Sequence, residues 1–217
     1  MPRRKAISIG RSDRFTADSH FGHQLMIAKR EQPDGSVERL RLFDTIEEHD
    51  EHLIQNWNRV TAKTDTVYFL GDFSYPRVAI ERRRKIFDRL KGKKIVLPGN
   101  HDDEDTLALP WDGILQGPIH FRDGNGQVVI CMHWPLAEWD GWHSGAVHLH
   151  GHTHGNRVSS RRRFDVGVDN AGSYPITWSE IRDRMANLPE LDFNGNLIEP
   201  WKPDRGYSEP SNELKHP

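Results

Sequence analysis

Apolar positions along this chain fall into two alternating rhythms. Short apolar, β-branched runs bounded by Gly, Pro, Asp or Asn recur at Phe15-Thr16-Ala17, Thr66 to Leu70, Lys94 to Leu97, Gln127 to Met132, Ala146 to His150 and Phe164 to Val168. Each has the length and make-up of a strand. Between them the apolar residues spread to a helical period. Asp44 offers an N-cap with Glu47 three residues on, and Ile46, Leu53, Trp57 and Val60 mark an apolar face that Asp50 and Asn56 interrupt. A second helix is predicted from Val78 to Leu90, stopping at Gly92, and a third from near Ser179 with Glu180 and Asp183 in its first turns. Strands alternating with helices predict an α/β domain. Beyond Leu188 the pattern fades into a small hairpin about Asn194-Gly195 and then, from Pro200, a polar, proline-rich stretch. The division that follows is a domain over residues 1–188, opening with a basic segment of about 1–13, and a tail over 189–217.

Composition narrows the class without naming a chemistry. A chain of 217 residues can bury a substantial core as one domain, and 29% charged with 35% hydrophobic residues suits a soluble protein. No apolar run approaches the roughly 20 residues that span a bilayer, and the basic N-terminal residues lack the apolar segment of a secretory signal. One cysteine, Cys131, rules out an internal disulfide and sits in an apolar run, so it is expected in the core and the protein in the cytoplasm. A net charge of −2 gives no whole-chain attraction for polyanions. Histidine stands out, with 13 residues. Isolated ones such as His49, His52, His120 and His216 are expected at the surface or in the core; clustered ones invite a metal.

Five clusters of ligand-type residues close successive predicted strands: Asp18-Ser19-His20, Gly71-Asp72, Gly99-Asn100-His101-Asp102, Met132-His133-Trp134 and Gly151-His152-Thr153-His154. Two residues apart on extended chain, Asp18 and His20 point to one side, and His152 and His154 share that relation. Carboxylate oxygen with imidazole nitrogen suits Mn²⁺, Fe²⁺ or Zn²⁺ better than Mg²⁺, and the absence of a cysteine cluster argues against a structural zinc site. Asp72 can bridge two cations, and Gly71 permits close backbone approach. Asn100 offers a neutral oxygen. His101 is placed beside the metals, where Asp102 could orient its ring or hold it protonated as a general acid. Alone, each cluster reads as an ordinary turn; their ordered combination describes a site.

The chain resembles the calcineurin-like metallophosphoesterases from about Phe15 to Asp169. It is most similar to their small bacterial and phage branch, on Ala17-Asp18-Ser19-His20-Phe21-Gly22-His23, His148-Leu149-His150-Gly151-His152-Thr153-His154 and Asp165-Val166-Gly167-Val168-Asp169 followed by Pro175-Ile176. The resemblance implies an α/β fold, a β-sandwich of two mixed sheets flanked by helices, with metals at the strand C-terminal ends. It implies one metal on Asp18, His20, Asp72 and His154, a second on Asp72, Asn100, His133 and His152, and His101 as a catalytic non-ligand, with Asp102 beside it. The activity implied is hydrolysis of a phosphomonoester or phosphodiester by a metal-bridging hydroxide. Two divalent ions are expected, Mn²⁺ first, with Fe²⁺, Zn²⁺ or Ni²⁺ as alternatives. A nuclease or nucleotide phosphodiesterase, and a non-catalytic scaffold on the same fold, are the alternative functions; nucleic acid or nucleotide is the alternative partner to a simple phosphate ester.

Some residues stay open at this level. His148, His150, His152 and His154 alternate, so spacing alone cannot choose two of them, and only the resemblance selects His152 and His154. His23 and His143 are further candidates near the site. Trp134, Trp139 and Trp142 are expected to pack an edge and orient His133, the alternative being to stack a nucleobase. Arg82-Arg83-Arg84-Lys85 is expected on a solvated helix face, and Arg161-Arg162-Arg163 at an exposed hairpin tip, with phosphate recognition as its alternative.

Overall fold

Period-two alternation along the strands decides which layer each residue enters. The computed structural model describes residues 6–31, 34, 37–192 and 194–198. In chain order the elements are β1 (Ile7–Ser8), β2 (Arg14–Thr16), β3 (Arg30–Glu31), β4 (Val37–Glu38), α1 (Ile46–Val60), β5 (Thr66–Phe69), α2 (Ile80–Arg89), β6 (Lys93–Val96), α3 (Glu104–Leu107) and β7 (Gly113–Ile114). There follow β8 (Ile119–Arg122), β9 (Val128–Cys131), β10 (Val147–His150), β11 (Arg163–Asp165), α4 (Val168–Ala171), β12 (Ile176–Thr177) and α5 (Trp178–Ala186). One five-stranded sheet has the order β12-β2-β5-β6-β7, the other β1-β8-β9-β10-β11, and β3 and β4 form a separate two-stranded ribbon. Both large sheets are mixed: β12 is antiparallel to β2 and β8 to β9, while the remaining neighbours are parallel. This is a two-sheet α/β fold flanked by helices, as expected.

The central layer of side chains lies between the sheets. Phe15, Tyr68, Leu70 and Leu97 meet Phe121, Val129, Cys131, Leu149 and Phe164, with Ile181 and Met185 of α5 packed on the same cluster. The alternate residues face outward. Val67, Phe69 and Val96 pack against Leu53, Ile54 and Trp57 of α1 and Ile86 and Phe87 of α2. Full burial of each such side chain contributes roughly 1.5–3 kcal/mol. On the other outer face Ile130 packs with Trp139, Trp142 and Ala146. Cys131 is fully buried, as its setting in the sequence requires.

The parallel strands β2, β5, β6, β9, β10 and β11 send their following loops to one end of the sandwich, where the loops are stitched across the two sheets. Between the sheets Ala17 bridges Gly167 and Val168 N–H donates to Ala17 O at 3.1 Å, while within each sheet Asp18 N–H donates to Gly71 O at 2.9 Å and Gly151 N–H donates to His133 O at 3.0 Å.

Several local expectations shift. Helix α1 is capped by Thr45, not Asp44: Thr45 and Glu48 form the reciprocal capping box, one residue later, because the threonine side chain accepts from Glu48 N–H. Helix α2 is shorter than Val78 to Leu90, with Gly92 at φ +87° in the turn beyond it. Helix α5 begins at Trp178, capped by Thr177. The run Phe164 to Val168 is not one strand. Asp165 accepts from Gly167 N–H at 2.7 Å and turns the chain, so Val168 starts α4.

The basic runs also differ. Arg83 is buried, donating to Val78 O at 2.7 Å and Thr106 Oγ1 at 2.8 Å and pairing with Asp103, so only part of that helix face is solvated. Arg161 to Arg163 form no hairpin tip: β10 and β11 are parallel, so the chain must cross back, and Arg163 is buried at the start of β11. At the far end Leu191 bridges Leu197 antiparallel, and Asp192 N–H donates to Asn196 O. Residues 1–5 of the basic segment, Phe193 and the stretch 199–217, including His216, lie outside the described residues.

Candidate metal centre

Strand ends alone do not aim the candidate ligands inward; strained backbone does. Among the described residues six non-glycine residues have positive φ. Five of them are Asp18 (+58°), His20 (+48°), Asp72 (+62°), His152 (+70°) and His154 (+49°). Each such conformation costs on the order of 1–3 kcal/mol and persists only where its surroundings hold it. Here the surroundings are specific. Asp18 accepts the His152 N–H at 2.9–3.0 Å, His20 N–H donates to Asp72 O at 3.0 Å, and His101 N–H donates to Asp72 Oδ1 at 2.8 Å. Gly71 lies so tightly packed that a Cβ there would stand 2.5 Å from Gly99 N and 2.6 Å from His133 Nδ1.

The structure brings Asp18, His20, Asp72, Asn100, His101, His133, His152 and His154 to one place. Three groups have ligand atoms within 4.8 Å of one another: Asp18, His20 and His154; His20, Asp72 and His101; and Asp72, His133 and His152. Asp72 Oδ2 lies between two imidazoles, 3.6 Å from His20 Nε2 and 3.5 Å from His133 Nε2.

Proton bookkeeping tests whether a cation fits. His133 Nδ1 must donate to Leu70 O at 2.7 Å, so its Nε2 carries a lone pair. That lone pair faces Asn100 Oδ1 at 3.0 Å and Asp72 Oδ2 at 3.5 Å. His152 Nδ1 joins them, 2.8 Å from Asn100 Oδ1 and 3.2 Å from His133 Nε2. Asn100 Oδ1, Asp72 Oδ2 and the His133 Nε2 lone pair are three acceptors with His152 Nδ1 as the one nitrogen beside them able to carry a proton, and a cation would satisfy them together. On the other side both ring nitrogens of buried His20 have no hydrogen-bond partner among the described residues. His154 Nδ1 donates to Asp169 Oδ2 at 2.7 Å, which turns its Nε2 lone pair free. The donor set fits divalent metal ions.

Electrostatics agree with that fit. Burial drives the Asp18 carboxyl well above its usual range, with Asp165 and Asp72 adding repulsion. Burial also raises Asp72, against the His101 N–H bond that lowers it. Burial pushes His20 well below the ordinary imidazole range, with Arg41 and His154 contributing, and pushes His133 down to about 4. The bare carboxylates of Asp18 and Asp72 are uncomfortable here, and His20 and His133 stay neutral, the protonation state that ligates metal. A bound cation inverts the penalty on the carboxylates.

Known proteins add the following. No family model matches the chain. It is 28% identical over 207 residues to the Gene 66 protein of Mycobacterium phage L5, covering 81% of this chain and 95% of that one. It is 27% identical over 170 residues to an uncharacterized protein of Methanocaldococcus jannaschii, covering 74% and 84%. Among solved structures, a protein of unknown function from Aquifex aeolicus aligns with TM-score 0.58 and 22% identity over 79% of this chain and 98% of that one. The two share the fold. The nuclease MPE of Pseudomonas putida aligns at TM-score 0.41 with 19% identity, over 66% and 62%, a likeness too slight to bear on activity.

Residues left open by spacing now have places. His148 is fully buried behind the site, its Nδ1 donating to Ile130 O at 2.9 Å and its Nε2 accepting from Leu136 N–H at 3.1 Å. His150 donates to Gly151 O at 2.7 Å. Neither belongs to a ligand group. His23 is buried, stacked on Tyr75 with ring centres 4.0 Å apart and 5.3 Å from His20. His143 is exposed and near Glu138. Trp139 and Trp142 are buried in packing, whereas Trp134 is 40% exposed with its ring 5.1 Å from that of His133.

One expected contact is absent. Asp102 does not orient His101: its two oxygens accept the backbone N–H groups of Asp72, Phe73 and Gly99 at 2.8–2.9 Å. Adjacent residues on a turn point apart, and this carboxylate instead ties the Asp72 loop to the Asn100 loop. Residues that the ligand pattern did not single out complete the site. Asp165 accepts from Thr153 Oγ1 and Gly155 N–H, fixing the loop that carries His152 and His154. Asp169 and Arg41 stand behind His154.

Proposed function

We propose that this protein is a divalent-metal-dependent hydrolase of phosphate esters with a dinuclear centre. The observation that carries the reading is Asp72 Oδ2 set between His20 Nε2 and His133 Nε2, at 3.6 and 3.5 Å, with ligand-type atoms converging on both sides. Asp18, His20, Asp72 and His154 would hold one ion, and Asp72, Asn100, His133 and His152 the other, with Mn²⁺ the first candidate. Such ions supply Lewis acidity toward phosphoryl oxygens and an ionised water near neutral pH.

The protein's own groups do the rest. Asn100 and the imidazoles fix where the phosphoryl group can lie. His101, its ring 5.1 Å from that of His20, is placed to donate a proton to the departing oxygen, and its backbone is held by Asp72. Asp102 keeps the two loops in register rather than taking part in proton transfer. In an assay with Mn²⁺, the purified protein hydrolyses para-nitrophenyl phosphate or its bis-ester. His101→Ala loses turnover and keeps metal; Asp72→Asn loses both. A wild-type protein without bound metal or turnover, or variants indistinguishable from it, would sink the reading.

A nucleotide phosphodiesterase is the second reading, and Trp134 favours it: an exposed indole beside His133 offers a face on which a nucleobase can stack. Arg161 to Arg163 lend it no support. Arg162 stacks on Trp142 and pairs with Glu190, and Arg163 is buried in a strand. Comparing cyclic nucleotides, dinucleotides and plain phosphomonoesters under one Mn²⁺ condition separates the two readings.

A further inference from the structure

Arg41 comes from a loop far from every ligand cluster, yet it is buried against the centre. A guanidinium has five N–H donors in a fixed plane. All five find acceptors here. Nε donates to Asp169 Oδ1 at 2.7 Å, and Nη2 donates to Asp169 Oδ2 at 2.7 Å and to Asp18 O at 2.6 Å. Nη1 donates to Ser19 O at 2.8 Å and to His49 Nε2 at 2.8 Å. Two of these acceptors are the carbonyls of Asp18 and Ser19, in the segment where Asp18 and His20 hold positive φ. Asp169 in turn accepts from His154 Nδ1 at 2.7 Å.

We propose that Arg41 and Asp169 are the positioning pair of one metal subsite, that of Asp18, His20 and His154. Asp169 fixes His154 as the Nδ1–H tautomer, so that Nε2 is the ligating nitrogen. Arg41 holds Asp169 in that pose and clamps the strained Asp18–His20 backbone from behind. The inference rests on the dinuclear reading above. It asks for arginine specifically, because a lysine ammonium has three donors and no plane with which to serve a carboxylate and two carbonyls together. The same guanidinium sets a second tautomer. His49 Nε2 must accept from Arg41, so His49 Nδ1 carries the proton and donates to Asp50 Oδ1 at 3.0 Å. In the other subsite His133 is held by a backbone carbonyl, and no arginine–carboxylate pair stands behind it among the described residues.

Two measurements on the full chain test this. Long-range ¹H–¹⁵N spectra of the metal-free protein read imidazole tautomers directly, with His154→Gln and His49→Gln identifying the resonances. Both rings are expected protonated at Nδ1 and bare at Nε2; His154 protonated at Nε2 overturns the proposal. Calorimetric titration with Mn²⁺ then compares the wild type with Asp169→Asn and Arg41→Lys. Wild type should show two binding events, and each variant one event weakened about 10–100-fold with the other unchanged, the usual range for losing a partner of a ligating histidine. Equal weakening of both events indicates general loosening and overturns the assignment. Two unchanged events in both variants overturn the inference while leaving the dinuclear reading intact. A wild type that binds no Mn²⁺ overturns the reading and the inference together.

Discussion

His148 and His150 stand four and two residues before His152, all four histidines of the run to His154 alternate, and yet the two halves of the run do opposite things. The first pair lies inside β10, where extended geometry sends both rings to the outer face of the sheet, away from the apolar layer that holds Val147 and Leu149. Each spends its hydrogen bonds on backbone, and burial pushes both to about 3. The second pair follows Gly151, and positive φ at His152 and His154 breaks the alternation. Their rings turn to the centre, where their nitrogens meet Asn100, His133 and Asp169. The same side chain is thus a packing element where the backbone is relaxed and a proposed ligand where it is strained. Periodicity explains the first pair; the loop contacts explain the second.

The largest way to break that distinction is at the joint between the pairs. A Cβ at Gly151 would stand 2.5 Å from Ala17 Cβ and 2.5 Å from Asp18 Oδ2. Gly151→Ala must therefore displace Asp18, which also accepts the His152 N–H. The expected cost is about 1–3 kcal/mol of stability from overpacking, with loss of both Mn²⁺ binding events. Chemical denaturation and calorimetry read the two effects separately. A Gly151→Ala protein that binds Mn²⁺ normally would show that the turn does not aim the ligands.

Single histidines give the next contrast. His154→Ala should weaken one Mn²⁺ event by more than the ~10–100-fold expected for loss of a supporting partner, with little change in stability. His148→Gln should do the reverse, keeping both events and losing about 1–3 kcal/mol because Leu136 N–H or Ile130 C=O is left poorly paired. If His148→Gln abolished metal binding while staying as stable as wild type, the division of the run would be misplaced.

How much of this could be read in the chain follows from the same distinction. The ligand clusters were legible because each is local: two or three residues at a strand end carry their own signal, and the strands of the apolar runs formed with small shifts of boundary. Short elements such as β1, β7 and β12 were not legible, since two residues take strand geometry only through a neighbour. Asp102 was misread because adjacency to His101 suggested a contact that the turn forbids. Asp169 ends one of the motifs that carry the resemblance, but Arg41, 128 positions away, stands in none, and nothing in the sequence joins the two. The candidate ligands are written in short words, whereas what holds them is written in tertiary contacts.

The subtlest test uses acidity rather than a ligand. Burial lowers His148 from its ordinary 6.5 to about 3, with His150 adding repulsion, so the ring stays neutral in the folded protein. Below about pH 6.5 the unfolded chain takes up a proton at this position that the folded chain refuses. Stability therefore falls with acidity across the window from about 6.5 to about 3, by at most ~1.4 kcal/mol per pH unit for one such group. Removing the imidazole removes that proton from the balance. His148→Gln, although less stable than wild type at pH 7, should lose less further stability between pH 6.5 and 5, measured by urea denaturation in metal-free buffer. Parallel losses in the two proteins over that interval would mean that His148 takes up its proton in the folded state. The buried half of the run would then be more open to water than its hydrogen bonds to Ile130 and Leu136 imply.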